Sequence, residues 1–282
     1  MSPRFFFTPA LLALVLFASS AAQTTSPPKF DASAPASDEK SEAVLKRAVE
    51  SLGGANFLAV RTVVGRGNYT PFVKGVSDLP VTFLDYIAFP DRERTEFKGR
   101  GARTIQANVG TGEKAAGWVF DGALKSAPIR DMKADQIEDF RITMRTSLDN
   151  VLRGWWRAEG AKLSYAGRRE AGLARRNEAV RLIYPDGFAV EYEFGAKDGL
   201  PAKTIYKRMI KVGEEEKEAT EEDRYLRFLP FGGVNAPVIV DHYRDGVQTS
   251  RVLYDSVEYN RPVPDELFVK PADAKAAMKT MK

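Results

Sequence analysis

Few residues in this chain could carry acid–base or nucleophilic chemistry, and His242 is the clearest candidate. It is the only histidine among 282 residues, and cysteine is absent. These counts exclude multi-histidine metal sites, thiolate ligands, cysteine nucleophiles and the cysteine-linked lipid anchor of bacterial lipoproteins. Asp241 precedes His242, but adjacent strand residues point to opposite faces, so Asp241 cannot readily orient the imidazole. We therefore predict that His242 is an ordinary strand residue, and we expect no cofactor.

Carboxylates offer a second kind of chemistry. The acidic run 213–223 could hold Ca²⁺ if its side chains turned inward. Because the run falls between two predicted strands, we interpret it as a solvated hairpin tip. Asp85 or Glu96 could act as a general acid inside a hollow, which would require a buried carboxyl with a displaced pKa.

Basic residues are spread along the chain without a dominant cluster. The formal net charge is only +4, which demands no polyanionic partner. The pairs Arg168-Arg169 and Arg175-Arg176 could contact acidic lipid headgroups. They flank a turn near Gly172, so we interpret them as part of a charged hairpin. We expect no nucleic-acid partner, since positive charge is not concentrated on any aromatic-bearing stretch.

The first residues have the pattern of a secretory signal peptide. Arg4 precedes an apolar run over 10–18, and small residues follow at 20–22. The apolar run is shorter than the roughly 20 residues of a spanning helix, which favours cleavage after Ala22 over an uncleaved anchor. No other segment could span a membrane, so we predict a periplasmic or secreted protein.

The composition of the chain predicts four segments. They are a signal peptide at 1–22, a flexible Pro- and Ser-rich linker at 23–37, one folded domain at 38–271 and a C-terminal tail at 272–282.

The folded domain begins as a helix and continues as strands. Ser37 is a suitable N-cap for a helix that Gly53-Gly54 ends. Apolar and polar residues then alternate, most clearly at 188–194, and Asp-Gly turns separate several of the runs. The gaps are too short for crossover helices, so the sheet should be antiparallel. The predicted strands lie at 62–69, 81–89, 93–97, 104–109, 117–120, 162–167, 178–184, 188–194, 204–212, 224–231, 238–243 and 250–259.

One long helix is predicted to interrupt the strands at 134–156. Its apolar residues recur every three or four positions. A sheet of about eleven strands curls strongly, and this helix is suited to cover its concave side. Either the apolar stripe is core, or helix and sheet leave a cavity between them.

Four stretches resemble periplasmic proteins related to the lipoprotein-sorting carrier LolA. Residues 47–69 carry a helix that closes with Gly-Gly before the first strand, and 257–271 carry a last strand followed by Asn, a Pro-x-Pro turn and Leu-Phe. Residues 117–122 and 231–246 are similar to the inner hairpins of this family. The resemblance implies an unclosed half-barrel of antiparallel sheet, α+β in class, whose concave face is covered by helices and receives lipid or acyl chains.

We therefore predict a binding protein for the acyl chains of a lipid or lipoprotein. An envelope interaction or sensor protein, with a protein partner and a filled cavity, is the alternative, and a carboxylate-dependent enzyme is the third hypothesis. The residues predicted to contact an apolar ligand are Trp118, Phe120, Phe140, Met144, Trp155, Trp156, Phe188, Val190, Tyr192 and Phe194.

Overall fold

A single large β-sheet dominates the computed structural model, which describes residues 30–99 and 101–281. The predicted signal peptide and the linker as far as residue 29 lie outside these ranges. The strands are β1 Thr62–Val73, β2 Val76–Ser77, β3 Val81–Ala88, β4 Arg92–Gly99, β5 Ala102–Val109, β6 Ala116–Asp121, β7 Ile129–Asp131, β8 Lys162–Glu170, β9 Arg176–Ile183, β10 Ala189–Gly195, β11 Pro201–Val212, β12 Glu215–Phe231, β13 Val234–Arg244 and β14 Val247–Tyr259.

The strand order makes the sheet an open barrel of two meanders. It runs β7-β6-β5-β4-β3-β1-β14-β13-β12-β11-β10-β9-β8, with β2 paired to β1, and β7 and β8 are its edges. Every strand pair is antiparallel, and the first and last long strands, β1 and β14, join the meanders. The predicted fold class is confirmed. All the predicted runs are strands, and only β2 and β7, which are too short to show alternation, were missed.

The acidic run is a correction to the sequence interpretation. It lies mostly inside β12, and only Gly213 and Glu214 form the turn. Lysine and arginine side chains of β11 compensate its charge across the ladder: Lys207 Nζ lies 2.6 Å from Glu218 Oε2, and Arg208 Nε lies 2.9 Å from Glu221 Oε1. These contacts are diagonal, since Lys207 and Arg208 face Thr220 and Ala219 in the register, and diagonal pairs of opposite charge favour the pairing. This acidic stretch is therefore a strand.

The helices are short. They are α1 Glu39–Ser51, α2 Ala55–Leu58, α3 Ala134–Thr146, α4 Leu148–Arg153 and α5 Ala274–Thr280, with 3₁₀ turns at Gly112–Lys114, Trp155–Glu159 and Asp265–Leu267. The N-cap of α1 is Asp38, whose Oδ1 accepts from the Ser41 amide at 2.8 Å, and not Ser37 as predicted. Residues just before it already pair with β8, because Leu163 donates its amide to Ala36 O at 2.9 Å.

The long helix predicted over 134–156 is broken, which corrects that prediction. Ser147 has an extended backbone with ψ 147° and separates α3 from α4. Its hydroxyl accepts from the amide of Asn150 at 3.1 Å and caps α4. Gly154, with φ 73°, then ends α4 in the left-handed region. Trp155 and Trp156 therefore lie in a 3₁₀ turn.

The two faces of the sheet carry separate apolar cores. The inner face, which α1 and α4 cover, holds the larger core, and the outer face packs against the chain end that we predicted as a tail. Among the described helices, none combines the length and hydropathy that a membrane crossing requires. The inner core comprises Val44, Leu45, Ala48, Leu52, Phe57, Val60, Val151, Leu152, Trp156, Ala161, Leu163, Val180, Leu182, Tyr184, Val190, Tyr192, Phe194 and Val234.

Candidate functional site

A cavity of about 920 Å³ lies between α3 and the sheet, and we call it the lid cavity. The turn around Gly112, the 3₁₀ turn Trp155–Glu159 and the middle of β11 close its other sides. Its size falls within the range of about 300 to 1,000 Å³ that is typical of small-molecule pockets. The apolar side chains that line it are Pro90, Ala115, Phe140, Ile142, Met144, Trp155, Ala158, Phe188 and Met209.

Helix α3 covers one side of the cavity, and we call it the lid. Its apolar residues are incompletely covered by the rest of the protein. Only Phe140 and Thr146 of this helix are buried, while Ile142 and Met144 stay half-exposed toward the cavity. Alternating Asp, Glu and Arg residues keep the remaining faces in water. An apolar group bound beneath such a partly covered stripe would remove apolar surface from water, which is favourable in free energy.

The end of the lid is fixed to the sheet through one carbonyl oxygen. Arg145 O accepts hydrogen bonds from Asn150 Nδ2 at 2.9 Å, from the Tyr184 hydroxyl at 3.2 Å and from the Tyr192 hydroxyl at 3.1 Å. Asn150 Nδ2 also donates to the Tyr184 oxygen at 2.7 Å. Helix C-termini leave carbonyls without intrahelical partners, and here Tyr184, directly after β9, and Tyr192 of β10 provide donors. The α3–α4 junction is therefore anchored.

Ion pairs surround the rim of the lid cavity. Arg145 reaches Asp186 at 2.5 Å and Glu159 at 2.9 Å, and Arg208 of β11 reaches Asp139 of α3 at 2.5 Å. Burial is the largest single influence on the pKa of the Arg208 guanidinium, and it lowers that pKa. The carboxylates of Glu221 and Asp139 together outweigh burial, so the pKa is raised. An apolar interior with a charged rim suits a molecule that has an apolar chain and a polar head.

The structure brings four of the ten predicted ligand residues to this cavity. Phe140 and Met144 enter it from α3, Trp155 enters from the 3₁₀ turn, and Phe188 enters from the position just before β10. Trp155 also contacts Phe89, whose ring centroid lies 5.5 Å away at an interplanar angle of 56°.

The other six predicted residues lie elsewhere. Trp156, Val190, Tyr192 and Phe194 are fully buried in the inner core. Trp118 and Phe120 lie on the outer face beside α5, and Trp118 Nε1 donates to Phe268 O at 2.8 Å. Sequence reasoning missed Ile142, which falls outside the 137–140–144 apolar stripe of α3, and Met209, which is an exposed residue of β11.

His242 has an acidic partner that the sequence argument did not find. Its Nδ1 lies 2.5 Å from Oδ1 of Asp223 on the neighbouring strand β12, and these residues are direct register partners. Desolvation opposes protonation, but the Asp223 carboxylate outweighs it and raises the pKa of His242. Asp241 points away and pairs with Arg251 at 2.6 Å, as strand alternation predicts.

Two carboxyl groups of the inner face are shifted toward their neutral forms. Burial raises the pKa of Asp85 on β3 to about 6. Burial and the charge of Asp85 raise the pKa of Glu93 on β4 to about 8. Glu96, the other acid considered for catalysis, instead lies on the outer face in an ion pair with Arg94. In the described ranges, no group of three or more acidic or histidine side chains could hold a metal ion.

Comparisons with known proteins identify the fold. No family model matches this chain, and no curated protein matches it. A DUF1329 family protein from Desulfovibrio piger superposes with a TM-score of 0.57 at 12% identity, over 81% of this chain and 96% of that chain. The fold is that of the LolA-like open barrels.

Two further solved structures support this assignment. A putative outer membrane lipoprotein-sorting protein domain from Vibrio parahaemolyticus gives a TM-score of 0.53 at 9% identity, over 81% of this chain and 97% of that chain. A LolA superfamily protein from Nitrosomonas europaea gives 0.51 at 15% identity, over 82% and 97%. At these identities the likeness concerns architecture alone.

Proposed function

We propose that this protein is an exported binding protein for an apolar ligand, most simply the acyl chain of a lipid or lipoprotein, held in the lid cavity. The observation that carries the proposal is the lid cavity itself, about 920 Å³ in volume and walled by aromatic and aliphatic side chains. Transfer of hydrocarbon from water to such a wall is favourable by about 25 cal/mol per Å². No catalytic group is needed.

The rim determines how the ligand would sit. The apolar chain lies under α3 against Phe140, Met144 and Phe188, and the polar head stays near Arg145 and Arg208 at the opening. Export rests on the signal-peptide pattern of residues 1–22. The lipoprotein-sorting description of one structural neighbour agrees with a carrier role.

The test is direct binding of a fluorescent fatty acid, cis-parinaric acid, to the purified chain. Met144→Trp puts a bulkier side chain into the lid cavity and should reduce the fluorescence increase. Met278→Trp places the same bulk on the exposed side of α5 and should leave it unchanged. Absence of binding in the parent chain, or equal binding in both variants, contradicts the proposal.

An envelope interaction protein is the competing outcome. In that case, mass spectrometry of an organic extract of the natively purified chain would find no lipid, and affinity capture from envelope extract would return a protein partner that Met144→Trp does not displace.

A further inference from the structure

A second cavity, of about 1060 Å³, lies where two turns and one strand meet at one end of the second meander. The β8–β9 turn and the β10–β11 turn share this end of the sheet, and the second half of β12 passes beside them. We call it the basic cavity. Seven of its lining side chains are cationic and two are carboxylates; the cations are Arg168, Arg175, Arg176, Lys197, Lys203, Arg224 and Arg227.

Four of these cations are already compensated. Arg168 pairs with Glu178 at 2.9 Å and Arg176 with Glu170 at 3.2 Å. Lys203 and Arg224 share the Glu222 carboxylate.

The remaining three, Arg175, Lys197 and Arg227, make no ion pair with any residue in the described part of the chain, and all are exposed. Each comes from a different element. These three charges outnumber Asp198, the one lining carboxylate without an ion pair in the described ranges, so the local field attracts anions.

The loops that carry these cations are well fixed. The β8–β9 turn is closed by the amide of Arg175, which donates to Gly172 O at 2.8 Å, and the amide of Ala196 ties the next turn to Arg176 O at 2.9 Å. Arg227 has a left-handed backbone with φ 49° inside β12, although the pairs on either side keep their register. A non-glycine residue held in this region costs energy and often marks a functional position.

The floor of the basic cavity is apolar. Leu226 and Phe228 of β12 contribute to it, and Leu226 remains 40% exposed. Guanidinium groups bind phosphate through paired N–H donors more specifically than they bind a simple monovalent anion. A phosphate attached to an apolar body would match both the cations and the floor.

We propose that the basic cavity binds a phosphate group, with Arg175, Lys197 and Arg227 as its ligands. The phosphate belongs either to a lipid headgroup or to a free phosphate compound, since both present the same chemistry to these side chains. This site is separate from the lid cavity and does not depend on the function proposed there.

The experiment is calorimetric titration of the full purified chain at low ionic strength with two probes: inorganic pyrophosphate and soluble dihexanoyl phosphatidic acid. The variant Arg175→Gln/Lys197→Gln/Arg227→Gln should weaken binding at least about tenfold, because charge-assisted hydrogen bonds are lost. The variant Lys125→Gln/Lys275→Gln/Lys279→Gln removes the same charge from exposed positions outside the cavity and should bind as the parent does. Added salt should weaken binding in the parent.

The two probes distinguish the sources. Tighter binding of the phosphatidic acid, lost in Leu226→Ala, identifies a lipid headgroup, whereas equal binding of pyrophosphate identifies a free phosphate compound. No binding of either probe, or equal affinity in the parent and the first triple variant, overturns the proposal. Met144→Trp should retain phosphate binding, because Met144 lies outside the basic cavity. The phosphate proposal and the acyl-chain proposal are therefore tested independently.

Discussion

The Nη2 atom of Arg94 lies 2.8 Å from Oε1 of Glu96, and both side chains are fully buried on the outer face. Arg94 also donates to Leu267 O at 2.8 Å and to the Thr280 hydroxyl at 2.9 Å. This one guanidinium therefore ties β4 to the chain end that includes α5. Glu96 is its counter-ion, and the pair lies on the face opposite the one that α1 and α4 cover.

Removal of one partner of this pair should be costly. Glu96→Gln leaves the Arg94 charge buried, and we expect a loss of about 3 to 5 kcal/mol in the free energy of unfolding, measured by urea denaturation. The control is Glu258→Gln, which breaks an exposed pair with Arg261 and should cost at most about 1 kcal/mol. Similar losses of unfolding free energy in both variants would show that the buried pair stabilises the fold no more than an exposed pair does.

The Gly53 position should not tolerate a side chain. Its φ is 117°, and an added Cβ would lie 2.4 Å from Gly233 O, where α1 approaches the β12–β13 turn. Backbone strain and this clash together predict that Gly53→Ala destabilises the fold by about 3 kcal/mol. Gly213→Ala, with φ 68° and open space around it, should lose only about 1 to 2 kcal/mol. Equal thermal shifts in the two variants would disprove the clash.

The sequence predicted the strands well because alternation and Asp-Gly turns are local signals. It could not predict which strands share a face: Trp118 and Phe120 look like Phe188 in pattern, but they lie on the outer face. Ser147 ends α3, and its hydroxyl caps α4. The regular spacing of apolar residues continues across this position, so it gave no sign of the break. The Asp223–His242 pair depends on register across two strands, which no single strand reveals.

Asp85 and Glu93 should make stability depend on pH. Their folded-state pKa values, about 6 and about 8, lie above unfolded values near 4. The folded state thus holds protons more tightly, and the associated stability is complete below pH about 4 and is lost as pH rises through 6 and 8. Asp85→Asn/Glu93→Gln should therefore be more stable than the parent at pH about 9, by several kcal/mol, with no advantage at pH about 4.

The matched control for this pH dependence is Glu50→Gln/Asp255→Asn, which changes two exposed carboxylates. Thermal melts across the pH range measure all three proteins. A parent whose melting temperature does not fall between pH 5 and 9 relative to the Asp85/Glu93 variant would contradict the pKa assignments. Tyr254 faces the same pair, and its pKa is raised well above the ordinary value by burial and by these carboxylates.

The anchor of the lid predicts a local effect on α3. Asn150→Ala removes the donor that joins Arg145 O to the Tyr184 hydroxyl, and Asn150 is buried. We expect a loss of about 1 to 3 kcal/mol and faster amide hydrogen exchange confined to residues 134–146, because the sheet keeps its own hydrogen bonds. Asn68→Ala, which removes an exposed bond to Asp255, should change neither quantity. Since α3 covers the lid cavity, the Asn150→Ala protein should also release a bound acyl probe faster. Exchange that accelerates uniformly over the whole chain, with an unchanged release rate, would show that the anchor stabilises the fold without controlling the lid.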